Sequence, residues 1–92
     1  MISVITPFYN GNRYIKRLFS VLESNYKSLK CKYPNAELEL IIVNDSPSIS
    51  VDLSVAYSKF AYKVVDHELN SGIQQARVTG LSNSKGDYIL FL

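Results

Sequence analysis

The sequence predicts an α/β fold, a mostly parallel sheet with flanking helices in three layers. Three observations carry this. Short apolar runs rich in β-branched residues recur along the chain. Segments with apolar spacings of three and four lie between them. Each run stops at a cluster of turn residues. Strands alternating with helices imply parallel pairing through right-handed crossovers. The stretch that organises the rest is residues 38–48, where Leu40, Ile41, Ile42 and Val43 run into Asn44-Asp45-Ser46-Pro47. So short a run reads as a strand buried on both faces.

The first strand is expected at residues 2–6 (Ile-Ser-Val-Ile-Thr), ended by Pro7, which has no N–H for a ladder. Residues 7–12 form a loop holding Phe8 and Tyr9, and Asn10 or Asn12 is placed to cap the helix beyond it. That first helix is expected from Arg13 to about Lys30, with Ile15, Leu18, Phe19, Leu22, Tyr26 and Leu29 on one stripe. Lys27, Lys30 and Lys32 crowd its end, where cations offset the helix dipole. Pro34-Asn35 breaks the chain before the central strand. Residues 51–60 carry a weak helical pattern, with Val51, Val55 and Ala56 on one side. Residues 62–66 read as a third strand. His67 stands alone in sequence and reads as a loop or edge residue. Asn70 or Ser71 is placed to cap a helix at residues 73–83, with Ile73, Ala76, Gly80 and Leu81 toward the sheet. Gly80 lowers helix propensity, so it points to close packing. Lys85-Gly86 stops that helix, and residues 87–92 form a fourth, apolar strand. The predicted order is β-α-β-α-β-α-β.

Composition narrows the functional classes. Ninety-two residues make at most one domain, and 47% hydrophobic with 20% charged residues suits a globular protein. A net charge of +2 is too small to argue for nucleic acid. No apolar run approaches membrane-spanning length, and Met1-Ile2-Ser3-Val4 enters a strand without a basic leader. The expected setting is cytoplasmic, with the membrane face left open. A lone cysteine, Cys31, excludes an internal disulfide and a multi-cysteine zinc cluster.

Several motifs are missing. The turn after the first strand holds one glycine, against a dinucleotide fingerprint, and there is no P-loop. Ser46 and Ser48 have no histidine nearby to act as base. What is present gathers at one sheet edge: Thr6-Pro7-Phe8-Tyr9, Asn44-Asp45-Ser46, and Asn70-Ser71-Gly72 with Arg77 one turn into the helix. Ligands of open α/β sheets bind at that carboxyl edge. An aromatic pair can flank a planar base, a carboxylate can accept from a ring N–H, and an arginine can meet a phosphate. Each feature also has a plain structural reading. Asn44 and Asp45 can close an Asx turn ahead of Pro47, Phe8 and Tyr9 can be core, and Arg77 can pair with Asp87 or Glu68.

Three segments together resemble the amino-terminal part of family-two glycosyltransferases of the GT-A fold, a Rossmann-like type. They are Ser3-Val4-Ile5-Thr6-Pro7-Phe8-Tyr9-Asn10, Ile41-Ile42-Val43-Asn44-Asp45-Ser46-Pro47-Ser48, and Asn70-Ser71-Gly72 through Ala76-Arg77, Gly80 and Lys85-Gly86-Asp87-Tyr88-Ile89-Leu90-Phe91-Leu92. The resemblance implies transfer of a sugar from a nucleoside-diphosphate sugar, usually a UDP-sugar, to an acceptor on a glycan, lipid or protein. It places Pro7 and Tyr9 along the nucleoside, Asp45 on the base, and Arg77 near base or phosphates. Val78 stands where the family often has Asn. The family's Asp-any-Asp metal motif belongs just past the fourth strand, so a Mn or Mg ion is expected of the longer enzyme and none of this chain. Residues 1–92 then read as an incomplete, nucleotide-binding part of the domain, inactive alone, with the catalytic base elsewhere. The terminal strand, apolar throughout, suggests a homodimer. The alternative is a non-catalytic α/β nucleotide-binding or self-associating module. A receiver-like switch wants acids where Thr6-Pro7 stands.

Overall fold

A computed structural model describes residues 1–54, 56 and 58–92. The elements are β1 (Ile2–Phe8), a 3-10 turn (Asn12–Tyr14), α1 (Ile15–Lys32), β2 (Leu38–Asn44), β3 (Ala61–Asp66), α2 (Gly72–Ser82) and β4 (Tyr88–Phe91). All pairings are parallel, in the order β3-β2-β1-β4. The chain builds outward from β1 to β3, then returns to the other side of β1. The strand order therefore reverses beside β1, and a crevice opens past the carboxyl ends there.

The two-residue period of the strands sorts the core. Val4, Phe8, Leu38, Leu40 and Ile42 meet Ile15, Phe19, Leu22 and Tyr26 of α1. Ile5, Ile41 and Val43 face Ala76 of α2 on the other side. This is the three-layer arrangement the pattern predicts. Close approach of α2 needs Gly80: a Cβ there would lie 2.3 Å from Ile5 Cγ2. The buried charge on β2, Glu39, is satisfied by Ser3 Oγ and by the Lys85 N–H at 2.6 Å. Burial pushes its carboxyl up, but those donors and the Lys63 and Lys85 charges outweigh it and hold it below the usual range.

Four expectations are corrected. First, β1 runs through Pro7 to Phe8. The Ile5 carbonyl accepts from Leu92 on the β4 side, so Pro7, two residues on, turns its missing N–H to that side. The β2 side continues unbroken, with Asp45 N–H donating to Phe8 O at 2.8 Å. Second, no helix forms over the described part of residues 51–60; Val55 lies outside it. Side chains take up the backbone groups instead. Asn44 Nδ2 donates to Ile49 O, Asn12 Nδ2 donates to Ser50 O while its Oδ1 accepts from Asp52 N–H, and Glu23 accepts from Lys59 N–H. Third, neither helix has a side-chain cap from its own N-cap residue, so Asn10, Asn12, Asn70 and Ser71 do not serve as expected. Fourth, Ala76 and Gly80 face the sheet, but Ile73 and Leu81 are exposed.

Candidate functional site

Hydrogen bonds between side chains and backbone tie the strand exits together. Asn44, at the end of β2, is buried and fully used. Its Nδ2 donates to Ile49 O and Asp66 Oδ1, and its Oδ1 accepts from Ser46 N–H in an Asx turn. Ser46 Oγ accepts from Asn10 N–H at 2.8 Å, joining the β2 exit to the β1 exit. Asn10 takes φ 48°, a left-handed value that asparagine tolerates.

Asp45 reaches across to α2. Its Oδ1 accepts from Ser71 N–H at 2.7 Å and its Oδ2 from Gly72 N–H at 2.8 Å. A carboxylate just past β2 thus caps the helix that lacks its own cap and places a negative charge at its positive end. Gly72 has φ +89°, a value that favours glycine. His67 Nδ1 lies 2.9 Å from Asp45 Oδ1, and His67 Nε2 lies 2.7 Å from Thr79 Oγ1. The Ser71 N–H does most to hold the Asp45 carboxyl below the usual range. Burial opposes it, and His67 and the Gly72 N–H add to the lowering. Asp45 is therefore a fixed anion.

A cavity of about 350 Å³ opens above this carboxylate, lined by Pro7, Phe8, Tyr9, Asp45, Asn70, Gly72 and Ile73. That is the lower end of ligand-site volumes. Phe8 is 5% exposed and belongs to the α1 core, whereas Tyr9 is 69% exposed. Tyr9 therefore offers a free aromatic face at the lip. Across the β1 exit a second hollow of about 250 Å³ includes Thr6, Tyr14 and Ile42.

Of the ten residues singled out, the fold brings Pro7, Phe8, Tyr9, Asp45, Asn70 and Gly72 to one cavity. Thr6 lies across the β1 exit, and Asn44 and Ser46 shape the loop beneath. Arg77 does not line the cavity. Its guanidinium lies 5.7 Å from the centre of the Phe91 ring, and its buried Nε has no hydrogen-bond partner among the described residues. Asp87 pairs with the Met1 ammonium instead. Sequence reasoning assigned no site role to His67, read as a loop or edge residue, to Ile73, placed toward the sheet, or to Thr79. His67 carried a usable signal: it is the first residue past β3, at the same edge as the other strand exits. Among the described residues, no group of three or more His, Cys, Asp or Glu could hold a metal ion. No helix of the described chain is long and apolar enough to cross a membrane.

Comparison with known proteins bears on this geometry. The model of glycosyl transferase family 2 matches residues 3–92. Glycosyltransferase GlyA of Streptococcus pneumoniae is 32% identical over 99% of this chain and 12% of its own length. An uncharacterized glycosyltransferase of Haemophilus influenzae is 34% identical over 100% of this chain and 28% of its own. The poly(ribitol-phosphate) beta-N-acetylglucosaminyltransferase TarS of Staphylococcus aureus is 32% identical over 98% of this chain and 15% of its own. The chain thus spans less than a third of each of these relatives. No solved structure matches it.

Proposed function

Because the chain belongs to glycosyl transferase family 2, with its GT-A Rossmann-like fold, we propose that its cavity takes the nucleotide of a nucleoside-diphosphate sugar, a UDP-sugar foremost, as the donor half of a sugar transferase. The observation that carries this is the Asp45 carboxylate, a fixed anion lining a cavity beside an exposed tyrosine. Oδ1 accepts two hydrogen bonds and Oδ2 one, so Oδ2 keeps room for a single further donor. The uracil ring presents one N–H between two carbonyls, which suits a lone acceptor. Tyr9 can cover the base face. The acceptor supplies a hydroxyl; the name of the Staphylococcus aureus relative supports a polymer as its source. A divalent ion, Mn or Mg, belongs to the same proposal, although the described residues assemble no site for it.

A hydrogen bond to a charged group contributes about 1.5–3 kcal/mol, and stacking on an aromatic about 1–3 kcal/mol. After ordering losses, a total near −4 kcal/mol corresponds to a Kd of about 1 mM for UDP. Amide shifts in an NMR titration should then cluster at residues 6–10, 44–46 and 70–73. Identical titrations of wild type and Asp45→Asn would show the proposal to be wrong.

A specific observation also supports self-association. β4 pairs only with β1, its outer side has no strand among the described residues, and all four of its residues are exposed. An unpaired apolar edge without lysine or proline is a template for another strand, here that of a second copy. Light scattering on a sizing column should give a dimer mass that Leu90→Lys reduces to a monomer. A monomer mass for both removes the idea.

A further inference from the structure

We infer that His67 is a positioning residue for the base pocket: clamped between Asp45 and Thr79, it occupies one carboxylate oxygen, so that the cavity is offered a single acceptor and with it one kind of nucleobase edge. This rests on the proposed nucleotide site and deepens it.

The clamp is built from three sides. The His67 backbone is fixed by its N–H, which donates to Asn44 O at 2.9 Å and extends the β2–β3 pairing past β3. The ring then spans two elements, with Nδ1 2.9 Å from Asp45 Oδ1 and Nε2 2.7 Å from Thr79 Oγ1 on α2. Both side chains at the His67–Asp45 contact are nearly buried, at 11% and 7% exposure. Asp45 is an anion with no proton to give, so Nδ1 carries the hydrogen and donates it. In the neutral ring Nε2 then accepts from the Thr79 hydroxyl. That hydroxyl sets the tautomer, as the partner of a histidine's second nitrogen does.

The consequence falls on Asp45. Its Oδ1 is filled by His67 and Ser71, and its Oδ2 is half-filled by Gly72. A ring N–H flanked by carbonyls matches what is left. Cytosine brings a bare ring nitrogen, which the carboxylate repels, and an exocyclic amine offset from it. Without His67, Oδ1 regains a free lone pair while the Ser71 and Gly72 N–H groups still hold both oxygens. The carboxylate can then meet the cytosine amine as readily as the uracil N–H, and discrimination falls.

The test compares UDP with CDP, which differ only in the base, on the 92-residue chain. Asparagine places its Nδ2 where imidazole Nδ1 sits, and glutamine places its Nε2 where imidazole Nε2 sits. His67→Asn therefore keeps the donor to Asp45, whereas His67→Gln keeps only the reach to Thr79. We expect the UDP:CDP affinity ratio to stay within about threefold of wild type in His67→Asn and to fall about tenfold in His67→Gln, the loss of one hydrogen bond's selectivity. A role in packing alone would move both variants together, and equal ratios in the two overturn the inference. The wild type gives a readout that needs no variant: ¹⁵N shifts of the His67 ring should show Nδ1 protonated, and a ring protonated on Nε2 alone also overturns it. A chain that binds neither nucleotide, or whose UDP affinity is unchanged by Asp45→Asn, defeats the proposed site itself and this inference with it. Loss of UDP binding in Asp45→Asn with an unchanged ratio in His67→Gln defeats the inference only.

Discussion

Asp45→Asn should destabilise the fold at neutral pH by an amount that disappears in acid. The carboxylate holds the N–H groups of Ser71, just before α2, and of Gly72, its first residue, at 2.7 and 2.8 Å, and the His67 ring at 2.9 Å. Asparagine keeps one acceptor oxygen and turns an amide N–H₂ toward a donor. At least one bond to a charged acceptor is lost, about 1.5–3 kcal/mol, together with the anion at the helix N-terminus, about 0.3–1 kcal/mol. The expected loss is about 2–4 kcal/mol, a drop in Tm of roughly 10–20 °C for a domain of this size. The sign with pH comes from the Asp45 carboxyl, which Ser71 N–H foremost holds below its ordinary value. A lowered carboxylate contributes its full stability above the unfolded-state pKa, about 3.9, and loses it as the pH falls through the folded-state value. The wild-type advantage should therefore be flat near pH 7 and close in acid below the usual carboxylate range. Urea melts of both proteins at matched pH measure it, and the titrations they share cancel in the difference. A neutral-pH gap under about 0.5 kcal/mol, well below the single-bond figure, refutes the reasoning. So does a gap that persists undiminished in acid.

Two glycine substitutions should separate contact from conformation. Gly80→Ala gains about 1 kcal/mol of helix propensity but sets a Cβ 2.3 Å from Ile5 Cγ2, an overpacking loss of about 1–3 kcal/mol. It should destabilise the wild type and cost less in an Ile5→Ala background, where the nearest retained atom, Ile5 Cβ, lies 3.3 Å away; an equal loss in both denaturation series would exclude the clash as the cause. Gly72→Ala meets nothing within 4 Å, so its cost is the φ of +89° alone, about 1–2 kcal/mol. That loss should survive in the Ile5→Ala background, and its disappearance there would implicate packing instead.

The fold was legible because its signals are local and repeat. The run Leu40 to Val43 is buried because both faces of β2 are covered, and the stripe from Ile15 to Tyr26 needs only helical spacing to be seen. Failures came where a distant side chain replaced a local rule. Pro7 ends a strand only if its missing N–H faces a neighbour, and that depends on which strand lies on each side of β1. The described part of residues 51–60 stays out of a helix partly because Asn12 and Glu23, far away in sequence, take up backbone groups nearby.

The candidate site shows the same division. Asp45 stands out in sequence because a carboxylate follows a buried strand, but its caps lie 26 and 27 residues away at Ser71 and Gly72. Ser71 looks like a capping residue by type, yet its backbone N–H is capped by Asp45. His67 looks isolated because its partners are 22 and 12 residues distant in opposite directions along the chain. What unites them is position: Asp45 is the first residue past β2, His67 the first past β3, and Ser71 the last before α2. In a parallel sheet all strand exits lie on one edge, so residues just past the strands are neighbours whatever their separation in sequence. A histidine at a strand exit is thus read better by its place in the sheet than by whether a second histidine lies near it in the chain.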